Sequence, residues 1–184
     1  LFNGGIPVFA DINTETLCIN KETIEEKITE NTKVILPVHF GGTPCKLDEI
    51  KKISQKHDLF VVEDAAHAAG ANFDNKKIGS HSQAVCFSFH PVKNIAMPTG
   101  GIIAINDKKS NKMKNKLQER RWCGIKNRNF NSYEISELGN NYYMNEFSAA
   151  IGRIQLKKLE KLNNKRKKVA KRYSDELKIG EKMK

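Results

Sequence analysis

Residues 59–70 read LFVVEDAAHAAG, an apolar run that ends in two adjacent carboxylates and continues into small residues. Four consecutive apolar residues followed by charge are typical of a strand buried on both faces of a parallel sheet. Ligands of open α/β sheets bind beyond the carboxyl ends of such strands. The stretch therefore predicts a buried strand that ends at Asp64 beside a ligand site, although a lone aspartate is also typical of a loop or helix cap.

A second stretch, residues 87–94, reads FSFHPVKN and places Lys93 just past another apolar run, residues 85–89. Pro91 cannot donate to a sheet ladder, so it marks the end of that predicted strand. A lysine amine that is partly removed from water favours its neutral form, which can attack an aldehyde. In a chain with 32 Lys and Arg, the alternative interpretation is an ordinary solvated loop lysine.

Strands and helices alternate around these two stretches. Strands are predicted at 7–10, 34–38, 59–64, 85–89 and 101–105, and helices at 21–28, 47–57, 108–123 and from 144 onward. This alternation indicates an α/β fold with a mostly parallel, mixed sheet and flanking helices. The loop between the last two strands is too short for a parallel crossover, so we expect that pair to be antiparallel. The polar stretches 72–82 and 124–141 are predicted to be irregular.

Length and composition fit one sizeable domain. The chain has 184 residues, of which 39% are hydrophobic and 29% charged. No apolar run reaches the roughly eighteen residues of a membrane span, and the first residues do not resemble a signal peptide, so we expect no membrane association. Four scattered cysteines without a CxxC pair predict reduced thiols, a cytoplasmic location and no metal site. The first residue is not Met, so we expect a preceding segment.

Most of the net charge of +11 lies near the C-terminus. Residues 157–184 contain twelve Lys and Arg against four Asp and Glu, which is eight of the eleven net charges. One interpretation is a surface that binds nucleic acid, and the other is a solvated helix face. No RNA-recognition motif, zinc finger or interleaved aromatic pattern accompanies the charge, so we do not expect nucleic acid as a partner.

Several short motifs share one chain order. They are PVHFGGTPC at 37–45, EDAAHA at 63–68, IGS at 78–80, FSFHPVKN at 87–94, TGG at 99–101 and LGNNYYMNE at 138–146. Together they resemble the DegT/DnrJ/StrS family of sugar aminotransferases, which depend on pyridoxal 5'-phosphate (PLP) and have fold type I. The resemblance covers essentially the whole chain. It implies a PLP-binding large domain at 1–142 and, at 143–184, a long basic helix.

The resemblance also implies that the chain is an internal piece. The family's N-terminal segment, with further cofactor contacts, and its C-terminal small domain have no counterpart here. We therefore expect that residues 1–142 lack the N-terminal part of the large domain and that 143–184 lead to an absent small domain. On its own, such a piece is expected to be inactive and to bind PLP weakly or not at all.

The roles of five residues follow from the same resemblance. Lys93 would bind the cofactor covalently and then act as the acid–base group. Asp64 would pair with the pyridine nitrogen, His67 would lie beside the ring, and Ser88 would donate to the phosphate. Asn141 would reach the phosphate of a neighbouring subunit, which implies a homodimer. The implied substrates are small molecules: an amino acid donor, usually glutamate, and a nucleotide-linked keto sugar of a cell-surface polysaccharide pathway.

Two departures from the family pattern and three alternatives remain at this point. Tyr143 stands where the family usually has an arginine, and residues 98–99 read Pro-Thr instead of Gly-Glu.

One alternative function is a catalytically incomplete member of the family, and another is a basic nucleic-acid-binding protein. The third is the related PLP-dependent sugar dehydratase, which has histidine in place of the covalently bound lysine, so Lys93 argues against it.

Overall fold

The structure is a computed structural model that describes residues 1–106 and 110–177. Its elements are α1 (Lys21–Glu25), β1 (Val34–Ile35), α2 (Leu47–Lys56), β2 (Phe60–Asp64), β3 (Asn72–Phe73), β4 (Lys76–Lys77), β5 (Ala84–Ser88), β6 (Gly101–Ile105), α3 (Ser110–Arg121), β7 (Ile125–Lys126), β8 (Glu134–Ile135) and α4 (Glu146–Leu177). A short 3₁₀ turn spans Phe40–Gly42. Residues 108–109 of the predicted third helix and 178–184 of the predicted last helix lie outside the described residues.

The main sheet has four strands in the order β1-β2-β5-β6. β1, β2 and β5 run parallel, and Asp64 of β2 pairs with Cys86 of β5. β6 runs antiparallel to β5, with Ser88 opposite Gly101. The predicted α/β fold with a mixed, mostly parallel sheet is confirmed, and so is the antiparallel last pair.

Helices α1 and α2 begin where their sequence signals predict, but α1 ends at Glu25 instead of residue 28. Asn20 caps α1 by accepting a hydrogen bond from the Thr23 backbone N–H at 2.9 Å, and the Thr23 hydroxyl accepts from the Asn20 N–H. The capping pair satisfies two backbone donors that a helix start leaves without partners. In α2, Leu47, Ile50 and Ile53 recur at helical spacing and are buried. Each such side chain contributes about 1.5–3 kcal/mol when fully buried.

The strand predicted at 7–10 is wrong. The side chains of Ile6, Val8 and Phe9 are exposed, and residues 5–11 form no backbone hydrogen bond with the rest of the described chain. A strand is stable only when a neighbouring backbone satisfies its N–H and C=O groups. The segment has a β-prone composition, but no described strand lies beside it.

Two further stretches differ from their predictions. The strand predicted at 34–38 is only two residues long, since Pro37 has no N–H for the ladder, and Val38 forms an isolated bridge to Asp64. The stretch predicted to be irregular at 72–82 contains the β3–β4 hairpin, whose turn residues Asp74 and Asn75 both have positive φ. Such φ values give the turn twist that suits a two-residue hairpin.

The polar stretch 124–141 contains the β7–β8 hairpin, which packs beside the end of α3. The Arg120 guanidinium donates to the Glu137 carboxylate at 2.9 Å, and this hydrogen bond lowers the pKa of the Glu137 carboxyl. Gly124 has φ +74°, and a Cβ there would collide with the Glu137 carbonyl oxygen. The strands of this hairpin are two residues long and one partner, Ile135, is mostly exposed, so the sequence carries no alternating pattern that would predict them.

Two apolar clusters hold the sheet and helices together. The larger contains buried residues of α1, α2, β1, β2 and β5, among them Ile24, Ile35, Leu47, Ile50, Ile53, Val61 and Val85. The smaller consists of Ala69, Ile95 and Met97, with Met144 and Leu159 packed against it. The smaller cluster therefore joins the segments that follow Asp64 and Lys93 to α4. Among the described residues, no helix combines the length and apolar character that crossing a membrane requires.

A fully buried polar pair fixes the loop that follows β1. His39 and Glu63 are both 0% exposed, and Nε2 of His39 lies 2.8 Å from Oε2 of Glu63. The Cys45 backbone N–H donates to Nδ1 of His39 at 3.1 Å, so the imidazole carries its proton on Nε2 and donates it to Glu63. The other carboxylate oxygen, Oε1, has no partner among the described residues. Glu63 therefore depends on His39 for its one hydrogen-bond donor.

His39→Ala should lower the free energy of unfolding of the full-length protein by about 3–5 kcal/mol, because it leaves a buried carboxylate with no donor. Glu63→Gln should cost less, since it removes the charge and keeps an acceptor for Nε2. His57→Ala is the matched control: His57 is exposed at the end of α2, and its loss should change stability by no more than about 0.5 kcal/mol. Chemical denaturation measures all three, and equal effects of the two histidine substitutions would contradict the buried pair's importance.

Candidate active site

Asp64 ends β2 with its carboxylate held in a defined orientation. Its Oδ1 accepts a hydrogen bond from the Ala66 backbone N–H at 2.9 Å. Its own backbone N–H donates to the Pro37 carbonyl, and its carbonyl accepts from the His39 N–H at 3.0 Å. The second carboxylate oxygen, Oδ2, forms no hydrogen bond with the described residues. Asp64 therefore keeps one oriented acceptor available for a donor on a ligand.

His67 lies against the turn that follows β1. The Gly41 N–H donates to Nδ1 of His67 at 3.3 Å, so the proton of the neutral imidazole is on Nε2. A Cβ at Gly42 would lie 2.9 Å from the His67 carbonyl oxygen, and Gly42 has φ +90°. Glycine at position 42 is therefore required for this close approach. The contact leaves His67 with Nε2–H as a hydrogen-bond donor.

Ser88 is the last residue of β5. Its Oγ accepts a hydrogen bond from the His90 backbone N–H at 3.3 Å, which leaves the hydroxyl proton free to be donated. Because Cys86 is level with Asp64 in the parallel register, Ser88 lies about 6.6 Å further along the strand direction. Ser88 therefore stands just beyond the end of β2.

Lys93 closes a turn beyond β5. Its backbone N–H donates to the His90 carbonyl at 2.8 Å. The chain then folds back, with the Met97 N–H donating to the Phe89 carbonyl and the Phe89 N–H to the Gly100 carbonyl, both at 2.9 Å. The Lys93 side chain is partly buried, and its ammonium forms no ion pair with the described residues. Backbone hydrogen bonds therefore hold the Lys93 loop, while the Lys93 amine has no ion-pair partner among the described residues.

The loops that carry these residues meet at one edge of the sheet. Since β2 and β5 are parallel, the segments that follow Asp64 and Ser88 leave the sheet in the same direction. They also touch: Nδ2 of Asn94, the residue after Lys93, donates to the Ala69 carbonyl at 3.2 Å. The structure thus gathers the loops bearing Asp64, His67, Ser88 and Lys93, although these four side chains form no direct hydrogen bond with one another.

Asn141 is not joined to this group. It is exposed and forms an antiparallel bridge with Trp122, and its Oδ1 accepts from the Tyr143 N–H at 3.4 Å. It forms no hydrogen bond with the other four predicted residues. The single chain therefore leaves the Asn141 amide nitrogen without a described partner, which is the arrangement that a contact with another molecule requires.

Tyr143, which stands in place of the family's arginine, belongs to a stack of rings and cations. Its ring centroid lies 5.3 Å from that of Trp122, and the Arg121 guanidinium carbon is 5.9 Å from the Tyr143 centroid. The Arg128 guanidinium carbon lies 4.2 Å from the Trp122 centroid. A positive charge is therefore close to position 143, but it comes from neighbouring residues rather than from position 143 itself.

Three residues of this region were not predicted. Cys86 lies opposite Asp64, and burial, with a contribution from the Asp64 charge, raises the pKa of its thiol. The register that pairs Cys86 with Asp64 is a tertiary feature, so no local sequence signal indicates that neighbour. Asn94 and Asn163 both donate to the Ala69 carbonyl. These contacts join residues 25 and 94 positions apart, so no local sequence pattern indicates them. The described residues contain no cluster of three or more His, Cys, Asp or Glu side chains that could hold a metal ion.

The chain matches a family model and a curated protein. The model of the DegT/DnrJ/EryC1/StrS aminotransferase family matches residues 1–183. The spore coat polysaccharide biosynthesis protein SpsC of Bacillus subtilis is 36% identical over 178 residues, which is 94% of this chain and 46% of SpsC. The chain thus spans about half the length of this curated relative.

Two solved structures share the fold and a third of the sequence. PseC of Helicobacter pylori, an aminotransferase involved in the biosynthesis of pseudoaminic acid, matches with a TM-score of 0.90 and 33% identity, over 98% of this chain and 47% of PseC. NtdA of Bacillus subtilis, solved with bound cofactor PMP, matches with a TM-score of 0.84 and 33% identity, over 95% of this chain and 39% of NtdA. The chain belongs to the DegT/DnrJ/EryC1/StrS aminotransferase family.

Proposed function

We propose that the whole protein is a PLP-dependent aminotransferase that moves an amino group from an amino acid, with glutamate as the donor, to a keto carbon of a nucleotide-linked sugar. The observation that carries the proposal is the parallel pairing of β2 with β5, which brings the Asp64 and Lys93 loops to one edge of the sheet. Family membership supports amino transfer as the reaction. The names of SpsC and PseC, which refer to a polysaccharide and to pseudoaminic acid, support a sugar as the acceptor.

The side chains at this edge fit PLP chemically. PLP presents an aldehyde, a pyridine nitrogen and a phosphate to its binding site. Among the described residues, the Lys93 amine has no ion-pair partner and one Asp64 carboxylate oxygen has no donor, while Ser88 offers a hydroxyl proton. When bound, the cofactor supplies an electron sink for the bonding electrons of the substrate carbon. The PMP bound to NtdA, the aminated form of the same cofactor, supports this choice of ligand.

Each residue would then have a defined role. Asp64 would accept the hydrogen bond of the pyridine N–H and so keep that proton on the ring. The Nε2–H of His67 would donate to the ring oxygen, and Ser88 would donate to the phosphate. Lys93 would hold the aldehyde end of the cofactor through Nζ, and once the substrate amine has taken its place, Nζ would accept and return the proton of the substrate carbon.

We also propose that the protein is a cytoplasmic homodimer that serves a cell-surface polysaccharide pathway. The four cysteines are free thiols, as a reducing compartment favours. The uncommitted Asn141 amide supports a contact with a second subunit, which would receive this side chain at its phosphate site.

The first prediction of this proposal concerns Lys93. Borohydride reduction of the full-length protein after loading with PLP, followed by peptide mapping, should find the label on Lys93. Lys93→Ala should lower the rate of amino transfer by about 10²–10⁴-fold or more, because it removes the acid–base group. Lys76→Ala, which removes an exposed lysine of β4, should keep the normal rate. A label on a different lysine, or normal turnover by Lys93→Ala, would show that the assignment is wrong.

The second prediction concerns Asn141. In the full-length protein, Asn141→Ala should weaken PLP binding about 10–100-fold, because it removes a hydrogen bond to a charged phosphate. It should leave the dimer mass and the unfolding temperature of the cofactor-free protein nearly unchanged, since within the described residues it removes only the long, exposed hydrogen bond from the Tyr143 N–H. Asn111→Ala, an exposed asparagine of α3, is the matched control. Equilibrium dialysis and analytical ultracentrifugation make the measurement, and a catalytically competent strict monomer would refute the intersubunit role.

A further inference from the structure

One backbone carbonyl joins three segments of the chain. The Ala69 oxygen accepts a hydrogen bond from Nδ2 of Asn94 at 3.2 Å and another from Nδ2 of Asn163 at 3.0 Å. Ala69 lies five residues after Asp64, Asn94 follows Lys93 directly, and Asn163 belongs to α4. Ala69 is only 6% exposed, so water does not readily replace either donor. We call this arrangement the Ala69 junction.

Apolar packing surrounds the junction. Ile95 and Met97, which follow Lys93, are buried against Ala69, and Leu159 of α4 packs on the same cluster. A Cβ at Gly152 of α4 would lie 2.5 Å from the Met97 sulfur, so the helix approaches the Lys93 loop closely there. The hydrogen bonds of the junction are therefore part of a packed contact rather than isolated surface bonds.

The residue next to Ala69 is adapted to this contact. Gly70 has φ +83°, and a Cβ at this position would lie 2.6 Å from Nδ2 of Asn163. Only glycine leaves room for the amide beside the Ala69 carbonyl without strain. Asn163 thus supplies the donor of this hydrogen bond, and Gly70 leaves the space that the donor needs.

The backbone hydrogen bonds of the Lys93 loop fix its internal shape, and the junction fixes where that loop lies relative to the segment after Asp64. The Lys93 ammonium has no ion-pair partner among the described residues, and its backbone is held within its own loop by the His90 carbonyl. Asn94 is the nearest residue in sequence that bonds to the segment following Asp64. The separation between the amine of Lys93 and the carboxylate of Asp64 therefore depends on this link.

We propose that Asn94 and Asn163 are positioning residues for Lys93: through their shared acceptor they hold the Lys93 loop at a fixed distance from the Asp64 loop. The inference rests on the proposed function and adds to it a role for two asparagines that touch neither cofactor nor substrate. A misplacement of about 1 Å at a reacting centre can cost about 10²-fold in rate. The link to α4 makes that distance depend on where the helix lies.

The kinetic test replaces each asparagine by leucine, which has a similar size and no donor, in the full-length protein loaded with PLP. Asn94→Leu and Asn163→Leu should lower the single-turnover rate with the amino acid by about 10–100-fold, with KM changed less than about threefold. The double variant should lose more than the product of the two single effects, because each single variant still leaves one donor on the Ala69 oxygen. Asn164→Leu is the matched control: Asn164 is exposed on the same helix and should keep the normal rate.

The second measurement is hydrogen exchange of the same variants without cofactor. Backbone amides of residues 89–100 should exchange faster in Asn94→Leu and Asn163→Leu than in the unsubstituted protein and Asn164→Leu, while amides of β2 and β5 should keep their protection. Exchange that rises throughout the sheet would indicate general destabilisation and overturn the positioning role.

The outcomes separate this inference from the proposed function. If the unsubstituted protein transfers amino groups and both leucine variants match its rate and its exchange, the positioning role alone is overturned. If the unsubstituted protein neither binds PLP at Lys93 nor transfers amino groups, the proposed function falls and the positioning role falls with it.

Discussion

The parallel pairing of β2 with β5 is the constraint on which the candidate site depends. It sets Asp64 level with Cys86 and sends the segments that follow both strands out of the same edge of the sheet. If the pair were antiparallel, the five-residue length of each strand would put the two loops about 17 Å apart. The pairing is stable because the apolar side chains of both strands, such as Val61 and Val85, are buried in the larger core cluster.

Buried polar contacts then fix the positions of the loops that the sheet brings to one edge. The His39–Glu63 pair holds the loop after β1. From that loop the Gly41 N–H donates to Nδ1 of His67, which determines the tautomer of His67. The Ala69 carbonyl likewise fixes the Lys93 loop and α4, because it accepts hydrogen bonds from Asn94 and Asn163. Hydrogen bonds in a dry interior are costly to leave unmade, so both contacts resist displacement. The loops are therefore held in place by hydrogen bonds, while the Lys93 amine and one Asp64 carboxylate oxygen have no partners among the described residues.

The sequence predicts the parts of this site that have local or periodic signals. The apolar runs before Asp64 and Lys93 identify β2 and β5, the short loop makes β6 antiparallel, and Asn20 marks the start of α1. The failures have tertiary causes. The segment at 7–10 has strand composition but no described partner, and the contact between Asn163 and Ala69 joins residues that are distant in sequence. The roles of Asp64, His67, Ser88, Lys93 and Asn141, and the division near residue 142, stay predictions that rest on the family resemblance.

The central claim is that Asp64 and Lys93 serve opposite ends of one ligand. Nitrogen-15 NMR of the full-length protein, loaded with PLP labelled at the ring nitrogen, tests it most directly. The account predicts a protonated pyridine nitrogen at neutral pH in the unsubstituted protein and an unprotonated one in Asp64→Asn, because the carboxylate stabilises the ring proton. Asp74→Asn, in the exposed turn of the β3–β4 hairpin, should match the unsubstituted protein. The same resonance in all three proteins would contradict the account.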